Sequence, residues 1–257
     1  MTDEANVVAE VLLAVVGGLV LGSFLNVVIH RLPRGESLVA PSSHCPGCQA
    51  PIRPWHNVPV VSWLLLRGHC RDCREPIAVR YPLVEAATAA LFAGVVLVRS
   101  SAGGIALGLV LVAVLIPAAL IDLDHRIIPN KLLLPAAVAA LVLGTVLDPG
   151  HEPERLIAGA AAGGFLLVAA VAYPRGMGMG DVKLAAVLGL CLGRAVGPAM
   201  LIALVVGVLV GATVIARKGA SAGRKTAVPF GPMLGLGGLA GLFAGSSVVG
   251  WYLSTFV

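Results

Sequence analysis

Two short polar segments interrupt an otherwise apolar sequence, and both contain aspartate. One runs from Asp122 through Asp124 to Asn130, and the other is Gly178-Met-Gly180-Asp181. Ionisable side chains at the edge of a membrane span are costly, so they are usually retained for ion passage, proton transfer or chemistry. Two carboxylates that share one site do not ionise together, which leaves one as a base and the other as a proton donor. The pattern therefore predicts an aspartate pair that activates water for peptide hydrolysis.

The partner of Asp181 is open on the residues alone. Asp122 and Asp124 lie two positions apart, which places their side chains on roughly opposite faces of a helix. Only one of them can therefore face a site shared with Asp181, and the other is expected to be solvated or interfacial near basic residues.

Glycines alternate with other residues immediately before Asp181, at positions 176, 178 and 180. Because they lack side chains, a substrate backbone could approach the carboxylate, and we expect Gly178 and Gly180 to contribute to substrate binding. Glycine also permits a frayed helix start, so Asp181 is predicted at or just before a helix N-terminus. An aspartate in that position is, however, commonly only a helix cap.

Glu85 is a further acidic candidate. It follows Arg80-Tyr81-Pro82 at the start of an apolar stretch. It could cap the helix, pair with a basic residue, or face the active cavity and contact substrate. The sequence supports structural and substrate-binding roles equally.

The composition around these residues is that of a membrane protein. Of 257 residues, 58% are hydrophobic and 12% are charged, and the mean hydropathy is +0.96. These values exclude a soluble globular domain. The first apolar stretch follows an acidic N-terminus and lacks an A-x-A site, which predicts a retained span and not a cleaved signal peptide. The net charge of +5 is expected to meet membrane lipid headgroups, and no nucleic-acid partner is expected.

Eight apolar stretches approach the roughly 20 residues that a span needs: 7–29, 83–98, 104–121, 132–147, 156–173, 182–196, 198–216 and 231–256. We therefore predict an all-α polytopic membrane protein with about eight transmembrane helices. With the N-terminus outside, fifteen of the 18 Lys and Arg residues fall on the cytoplasmic side, which leaves Arg99, Arg155 and Arg194 outside. This asymmetry follows the positive-inside rule and places both aspartate segments at the cytoplasmic face.

The polar segment 30–82 contains two CxxC pairs with 21 residues between them, Cys45-Pro-Gly-Cys48 and Cys70-Arg-Asp-Cys73. Four thiolates complete a tetrahedral zinc shell with no open position, so we predict a structural zinc site, with iron as the alternative metal. Two disulfides are the competing interpretation, which a cytoplasmic location disfavours. The predicted organisation is a first transmembrane helix over 1–29, a zinc-binding insert over 30–82 and a polytopic core over 83–257.

Six motifs, in this order, resemble those of the type IV prepilin peptidases, also called leader peptidases. They are GSFLNVVIHRLP from Gly22 to Pro33, the two CxxC pairs, RYPLVE from Arg80 to Glu85, the segment from Ile121 to Pro129, GMGDVK from Gly178 to Lys183, and PFGP from Pro229 to Pro232. The resemblance extends from about residue 17 to residue 236.

This resemblance implies an aspartic endopeptidase of the bacterial inner membrane. Its substrates would be type IV prepilins and type II secretion pseudopilins, whose leaders it removes after a glycine on the cytoplasmic side. It selects Asp122, seven residues before Pro129, and Asp181 as the catalytic pair. Members with the four-cysteine insert also N-methylate the new terminal residue with S-adenosylmethionine, whereas shorter relatives only cleave. No Rossmann-type fingerprint for the methyl donor is visible in this sequence.

Other interpretations stay open beside this one. The protein could be a peptidase without methyltransferase activity. A proton-coupled transporter also uses intramembrane aspartates and glycine-broken helices, although its site would lie nearer the midplane of the bilayer. A non-enzymatic zinc scaffold for pilus or secretion assembly would need the four cysteines but neither aspartate.

Overall fold

The protein is all-helical in a computed structural model that describes residues 2–173, 176–219 and 228–256. Within these residues the α-helices are α1 (Thr2–Arg31), α2 (Val61–Leu65), α3 (Arg80–Val98), α4 (Ala102–His125), α5 (Asn130–Leu147), α6 (Glu152–Ala172), α7 (Met179–Leu192), α8 (Val196–Lys218) and α9 (Gly231–Phe256). Seven of the eight predicted apolar stretches coincide with a helix of 18 residues or more, and the eighth, 182–196, overlaps the 14-residue α7. The predicted fold class is confirmed. Three of the cations assigned to the cytoplasmic side, Arg175, Arg224 and Lys225, lie outside the described residues.

Within the described residues, seven segments are long and apolar enough to cross a membrane. They are fewer than the eight predicted stretches because α7 and α8 are joined in one segment, Met179–Lys218, of 40 residues. A straight helix of that length would be roughly 60 Å long, twice the thickness of the hydrocarbon core. A short 3₁₀ turn, Gly193–Ala195, interrupts it, and Gly193 has a φ of 56° that favours glycine.

The chain divides into two compact units, Met1–Leu97 and Val98–Val257. In the first unit, α1 and α3 approach closely at two glycines. A Cβ on Gly18 would lie 2.5 Å from the Ala89 Cα, and a Cβ on Gly22 would lie 2.7 Å from the Glu85 Cα. The predicted division into 1–29, 30–82 and 83–257 stays a prediction.

In the second unit, small residues again bring helices together, as is typical of membrane proteins. Three glycines on α9, spaced four apart, face three alanines with the same spacing in the turn before α8 and on α8 itself. These are Gly237, Gly241 and Gly245 against Ala195, Ala199 and Ala203. On the other side, Gly159 and Gly163 of α6 lie against α7. Because side chains are absent at these points, α9 packs closely on α8 and α7 packs closely on α6, and both α7 and α9 contribute to the site described below.

A buried arginine, Arg155, joins the end of α5 to the start of α6 by hydrogen bonds. Arg155 is only 5% exposed, and its guanidinium donates hydrogen bonds to the carboxylates of Asp148 and Glu152 and to the carbonyl oxygen of Gly144. Hydrogen bonds from His151 and Arg155 lower the pKa of Asp148 below its ordinary value. The charge of Arg155 is therefore compensated on several sides, as a buried ion requires.

Asp148→Asn is expected to lower the melting temperature at pH 7 by roughly 2–4 °C, which corresponds to about 1 kcal/mol in a chain of this size. Because the pKa of Asp148 is lowered on folding, its contribution is complete above the unfolded pKa of about 4 and is lost as the pH falls through the folded pKa. Melting curves of wild type and variant from pH 7 to pH 2 should therefore converge at the acid end. A constant difference across this range would contradict the assignment.

Candidate active site and metal centre

Asp122 lies in the last turn of α4, and the residues that follow explain why the helix ends there. Arg126 adopts a left-handed conformation with a φ of 56°, and its N–H donates to the Asp122 carbonyl oxygen at 2.9 Å. Pro129 then disfavours a helical conformation at Ile128 and caps the start of α5. Arg126 and Pro129 therefore end α4 within a turn of Asp122 and fix the position of this aspartate.

The Asp122 carboxylate is buried, with 6% of its residue surface exposed. Its Oδ2 accepts a hydrogen bond of 2.8 Å from the backbone N–H of Gly231, the first residue of α9. A Cβ on Gly231 would lie 2.8 Å from that oxygen and 2.9 Å from the Asp122 Cβ. Only glycine fits between α9 and this carboxylate without displacement.

Asp181 is the third residue of α7, so the sequence-based expectation of a helix start at this residue agrees with the structure. Its Oδ2 accepts a hydrogen bond of 3.3 Å from the backbone N–H of Gly178, as a capping residue would. Its Oδ1 is buried and has no hydrogen-bond partner among the described residues. Capping therefore uses one oxygen, and the other is available to a water molecule or a peptide group.

The structure brings Asp122 and Asp181 together. Helix α4 packs against both α7 and α9, and the two carboxylates are close enough to interact electrostatically. Asp124, by contrast, is exposed, as expected for a residue on the opposite face of α4. Assignment of Asp122 and Asp181 as the catalytic pair stays a prediction, which this arrangement permits.

The glycines before Asp181 have packing roles in the structure. A Cβ on Gly180 would lie 2.9 Å from the Ile128 Cβ, so this glycine lets α7 lie against the segment after α4. A Cβ on Gly178 would lie 3.2 Å from the Asp181 Oδ2. Gly180 thus allows the two aspartate segments to meet, and Gly178 leaves room for the Asp181 carboxylate. Contact with substrate stays a prediction for both glycines.

Glu85 lies in the first unit and is 8% exposed. Its Oε2 accepts a hydrogen bond of 2.7 Å from the backbone N–H of Val60, at the start of α2. The carboxylate therefore fastens the polar insert to α3. The substrate-binding role expected for Glu85 stays a prediction.

Sequence reasoning missed the role of Gly231. The motif Pro229-Phe-Gly-Pro232 contributed to the family resemblance, but nothing in it indicated contact with an aspartate 109 residues earlier. The available signal was a glycine directly before a proline in a membrane-associated segment, which is typical of a helix start where space is restricted.

Gly231→Ala is expected to lower activity about 100-fold, because its Cβ must displace the Asp122 carboxylate and misplacement by about 1 Å is that costly. Gly235→Ala is the matched control one turn further along α9, where the new Cβ would lie 3.5 Å from the Ala119 Cβ, an ordinary contact. Cleavage rates and thermal stability of both variants check the prediction. Equal activity of the two variants would show that the carboxylate tolerates the methyl group.

The four predicted cysteine ligands form a compact cluster. The sulfur atoms of Cys45, Cys48, Cys70 and Cys73 all lie within 4.8 Å of one another, and the Cys45 and Cys73 sulfurs are 3.7 Å apart. Four thiolates around zinc at ~2.3 Å would have their sulfurs ~3.8 Å apart in a tetrahedron. All four are free thiols in the structure, so the cluster has the donor set and the size of a metal site.

Both CxxC pairs belong to a repeated local structure. His44–Ile52 and His69–Ile77 share the pattern HCxxC-x-x-PI, and each has an isolated bridge between its histidine and its proline. In each, the first cysteine N–H donates to the carbonyl oxygen five residues later. Backbone N–H groups of Cys73 and Asp72 lower the pKa of the Cys70 thiol to about 7, whereas desolvation and the neighbouring sulfurs raise the pKa of the Cys73 thiol to about 12. Cys70 therefore ionises readily, and Cys73 would need a bound metal to lose its proton. Sequence reasoning found the cysteines but not this repeat.

The cavity described between α5 and α7 does not fit S-adenosylmethionine. It has a volume of about 380 Å³ and is lined by aliphatic side chains except for Asn130 and Lys183, whose Nζ donates to the Asn130 Oδ1 at 2.8 Å. S-adenosylmethionine has a cationic sulfonium and an ammonium beside one carboxylate, and the lining of this cavity contains no acidic side chain to pair with either cation. The methyl-donor site is therefore not assigned to these residues.

A multi-pass helical protein whose two buried carboxylates meet at the ends of different helices has the architecture of a polytopic aspartic peptidase. Comparison with known proteins agrees with this class. Residues 16–99 match the model of the Bacterial Peptidase A24 N-terminal domain, and residues 109–216 match that of the Type IV leader peptidase family. No solved structure gives a significant match.

Curated relatives are similar over most of the chain. A "Type 4 prepilin-like proteins leader peptide-processing enzyme" of Escherichia coli O78:H11 is 37% identical over 90% of this chain and 93% of its own length. A "Prepilin leader peptidase/N-methyltransferase" of Aeromonas hydrophila is 36% identical over 93% of this chain and 92% of its own length. A "Prepilin leader peptidase/N-methyltransferase" of Neisseria gonorrhoeae is 40% identical over 70% of this chain and 73% of its own length. The chain belongs to the type IV leader peptidase family, which disfavours the transporter and scaffold interpretations.

Proposed function

We propose that this protein is a prepilin peptidase, an aspartic endopeptidase that removes the leader of type IV prepilins and pseudopilins after a glycine. The observation that carries the proposal is the meeting of Asp122 and Asp181, with the buried Oδ1 of Asp181 lacking a partner among the described residues. The names of the relatives support the substrate class.

Peptide hydrolysis by this pair needs no nucleophilic side chain. The ionised carboxylate takes a proton from a water molecule, and the water oxygen attacks the scissile carbonyl. The protonated carboxyl donates its proton to the developing oxyanion, which gives a tetrahedral diol. The carboxyl that took the proton from water then gives it to the amine nitrogen as the C–N bond breaks, and the diol returns a proton to the other carboxylate. Gly231 holds one carboxylate by its N–H, and Gly178 holds the other, so both are oriented before substrate arrives.

The proposed location is the bacterial inner membrane, with the aspartate pair at the cytoplasmic face. The asymmetric distribution of Lys and Arg supports this orientation. Cytoplasmic thiols stay reduced, which supports zinc over disulfides at the four cysteines. Zinc bound there would hold the two repeated segments together and would have no open position for chemistry.

A second activity is proposed on the names of the relatives, several of which are called N-methyltransferases. S-adenosylmethionine would supply the methyl group to the amine that cleavage exposes. The four-cysteine insert supports this activity through the family resemblance, in which members that contain the insert methylate their product.

The test is to incubate the purified protein in lipid nanodiscs with a type IV prepilin that retains its leader, with and without S-adenosylmethionine. Mass spectrometry is expected to detect a product that begins after the leader glycine, and a mass 14 Da higher when the methyl donor is present. Absence of leader release would overturn the peptidase proposal. Cleavage without the added mass would leave the peptidase and overturn the methyltransferase.

A further inference from the structure

The polar insert exposes a set of apolar side chains on α2. Val61, Leu64 and Leu65 are 49%, 62% and 78% exposed, and their spacing places them on one face of the helix. The other side of α2 faces the insert, where Ser62 is buried and the Trp63 indole N–H donates to the Ile77 carbonyl oxygen at 3.1 Å. The orientation of α2 is therefore fixed, and its apolar residues are held outward.

A tryptophan extends this surface. Trp55 is 63% exposed, and its carbonyl oxygen accepts a hydrogen bond from the Ser62 hydroxyl at 3.2 Å, which keeps it beside α2. We call Trp55, Val61, Leu64 and Leu65 the apolar face. Exposed tryptophan and leucine held on a rigid segment usually mark an interaction surface.

One hydrogen bond fixes the position of α2 along the axis of α3. The Val60 N–H, directly before α2, donates to the Glu85 side chain at 2.7 Å. Glu85 is the sixth residue of α3, about 7.5 Å along the helix from its first residue, and its side chain points back toward the helix start. Because Arg80–Val98 is a candidate membrane span, α2 lies level with the first turns of that span.

The charged side chains of the same segment are all positive at neutral pH. Between Ile52 and Arg71 the chain has three arginines, at positions 53, 67 and 71, and no acidic residue. The Arg53 guanidinium lies 5.9 Å from the centre of the Trp55 ring, so a cation borders the apolar face directly. Apolar side chains beside cations are the composition that binds the headgroup region of anionic bilayers.

We propose that the apolar face docks into the interfacial layer of the membrane that α1 and α3 cross, with these arginines on anionic lipid headgroups. A bilayer is the occupant that the geometry favours, because the insert is joined to a candidate span at each end and is fastened to α3 at the level of its first turns. Tryptophan at this level is typical of the aromatic belt of membrane proteins. This docking does not depend on the proposed peptidase activity.

The test measures the depth of Trp55 in the full-length protein, at one chain per nanodisc. The Trp55 signal is the difference in emission between wild type and Trp55→Phe, and phospholipids brominated near the headgroup end of their chains serve as quenchers. We expect a blue-shifted Trp55 signal that these lipids quench at least about twofold. Quenching should increase with the fraction of anionic lipid, and Arg53→Gln with Arg67→Gln should remove that increase.

Leu64→Glu with Leu65→Glu is expected to abolish the quenching. Val39→Glu is the matched control, because Val39 is an exposed apolar residue of the same insert outside the apolar face, and it should leave quenching unchanged. Metal content measured for each variant shows whether the insert is intact. An unquenched Trp55 in a metal-loaded protein would overturn the proposal. A Trp55 signal that these lipids do not quench, and that shifts to the blue only with added prepilin or only with two chains per disc, would overturn the proposal and assign the face to substrate or to a second copy.

Discussion

Asp122→Asn and Asp181→Asn are each expected to lower prepilin cleavage at least about 100-fold, the usual minimum for loss of a general acid or base. Asparagine retains the shape of the side chain and an oxygen that can accept the hydrogen bond from Gly231 or Gly178. The loss should therefore affect chemistry without removing the contacts that position each residue. Cleavage rates in nanodiscs, with melting temperatures measured beside them, check this result.

Asp124→Asn provides the matched control for this pair of substitutions. It changes an exposed aspartate two residues from Asp122 on the same helix, and it should retain cleavage close to the wild-type rate. Two results would contradict the catalytic assignment: cleavage that survives in both buried variants, or cleavage that is lost equally in the Asp124 variant. The first would remove the aspartyl mechanism, and the second would indicate a general sensitivity of this helix end.

Loss of the metal site is the second change with a large expected effect. Between residues 35 and 79, all of which the structure describes, only Cys45, Ser62 and Gly68 are buried. Such a segment has almost no apolar core, so cross-links or a metal must hold it together. Cys45→Ser combined with Cys73→Ser is expected to abolish metal binding and to make this segment susceptible to limited proteolysis. Metal analysis and mass spectrometry of the fragments measure both effects.

Cys191→Ser is the control for the cysteine variants, because Cys191 lies on α7 and is not one of the four clustered cysteines. It should retain the bound metal and the resistance of the insert to protease. An insert that stays resistant after loss of Cys45 and Cys73 would show that the metal does not hold it. Such a result would leave the cleavage mechanism untouched, since both aspartates and the N–H groups that orient them lie within Val98–Val257.

The helices were largely predictable because apolar length is a local property of a membrane sequence. The stretch predicted over 104–121 lies within α4, and that over 132–147 lies within α5. The stretches 182–196 and 198–216 predict a break between α7 and α8 at residue 197, whereas the structure has it at Gly193–Ala195. Arg194 marks this region in the sequence, but the exact residues of the turn depend on the backbone conformation of Gly193, which no hydropathy profile reports.

The sequence predicts which side chains could carry out the chemistry, but not which hydrogen bonds hold them in position. Aspartates beside apolar stretches are conspicuous because charge is costly there, and the four cysteines have the spacing of metal ligands. The hydrogen bond from Gly231 to Asp122 and that from Val60 to Glu85 join residues that are far apart in the chain. Such contacts follow from the packing of helices, which a single sequence does not specify.

The short length of α7 has a consequence for the residues at its ends. Its 14 residues extend roughly 21 Å, about 9 Å less than a typical hydrocarbon core. Among them only Met179 and Lys183 are exposed, so neighbouring helices and not lipid surround α7. Asp181 lies near the start of this helix, so a helix too short to cross the layer leaves the carboxylate recessed among protein side chains and not against lipid tails.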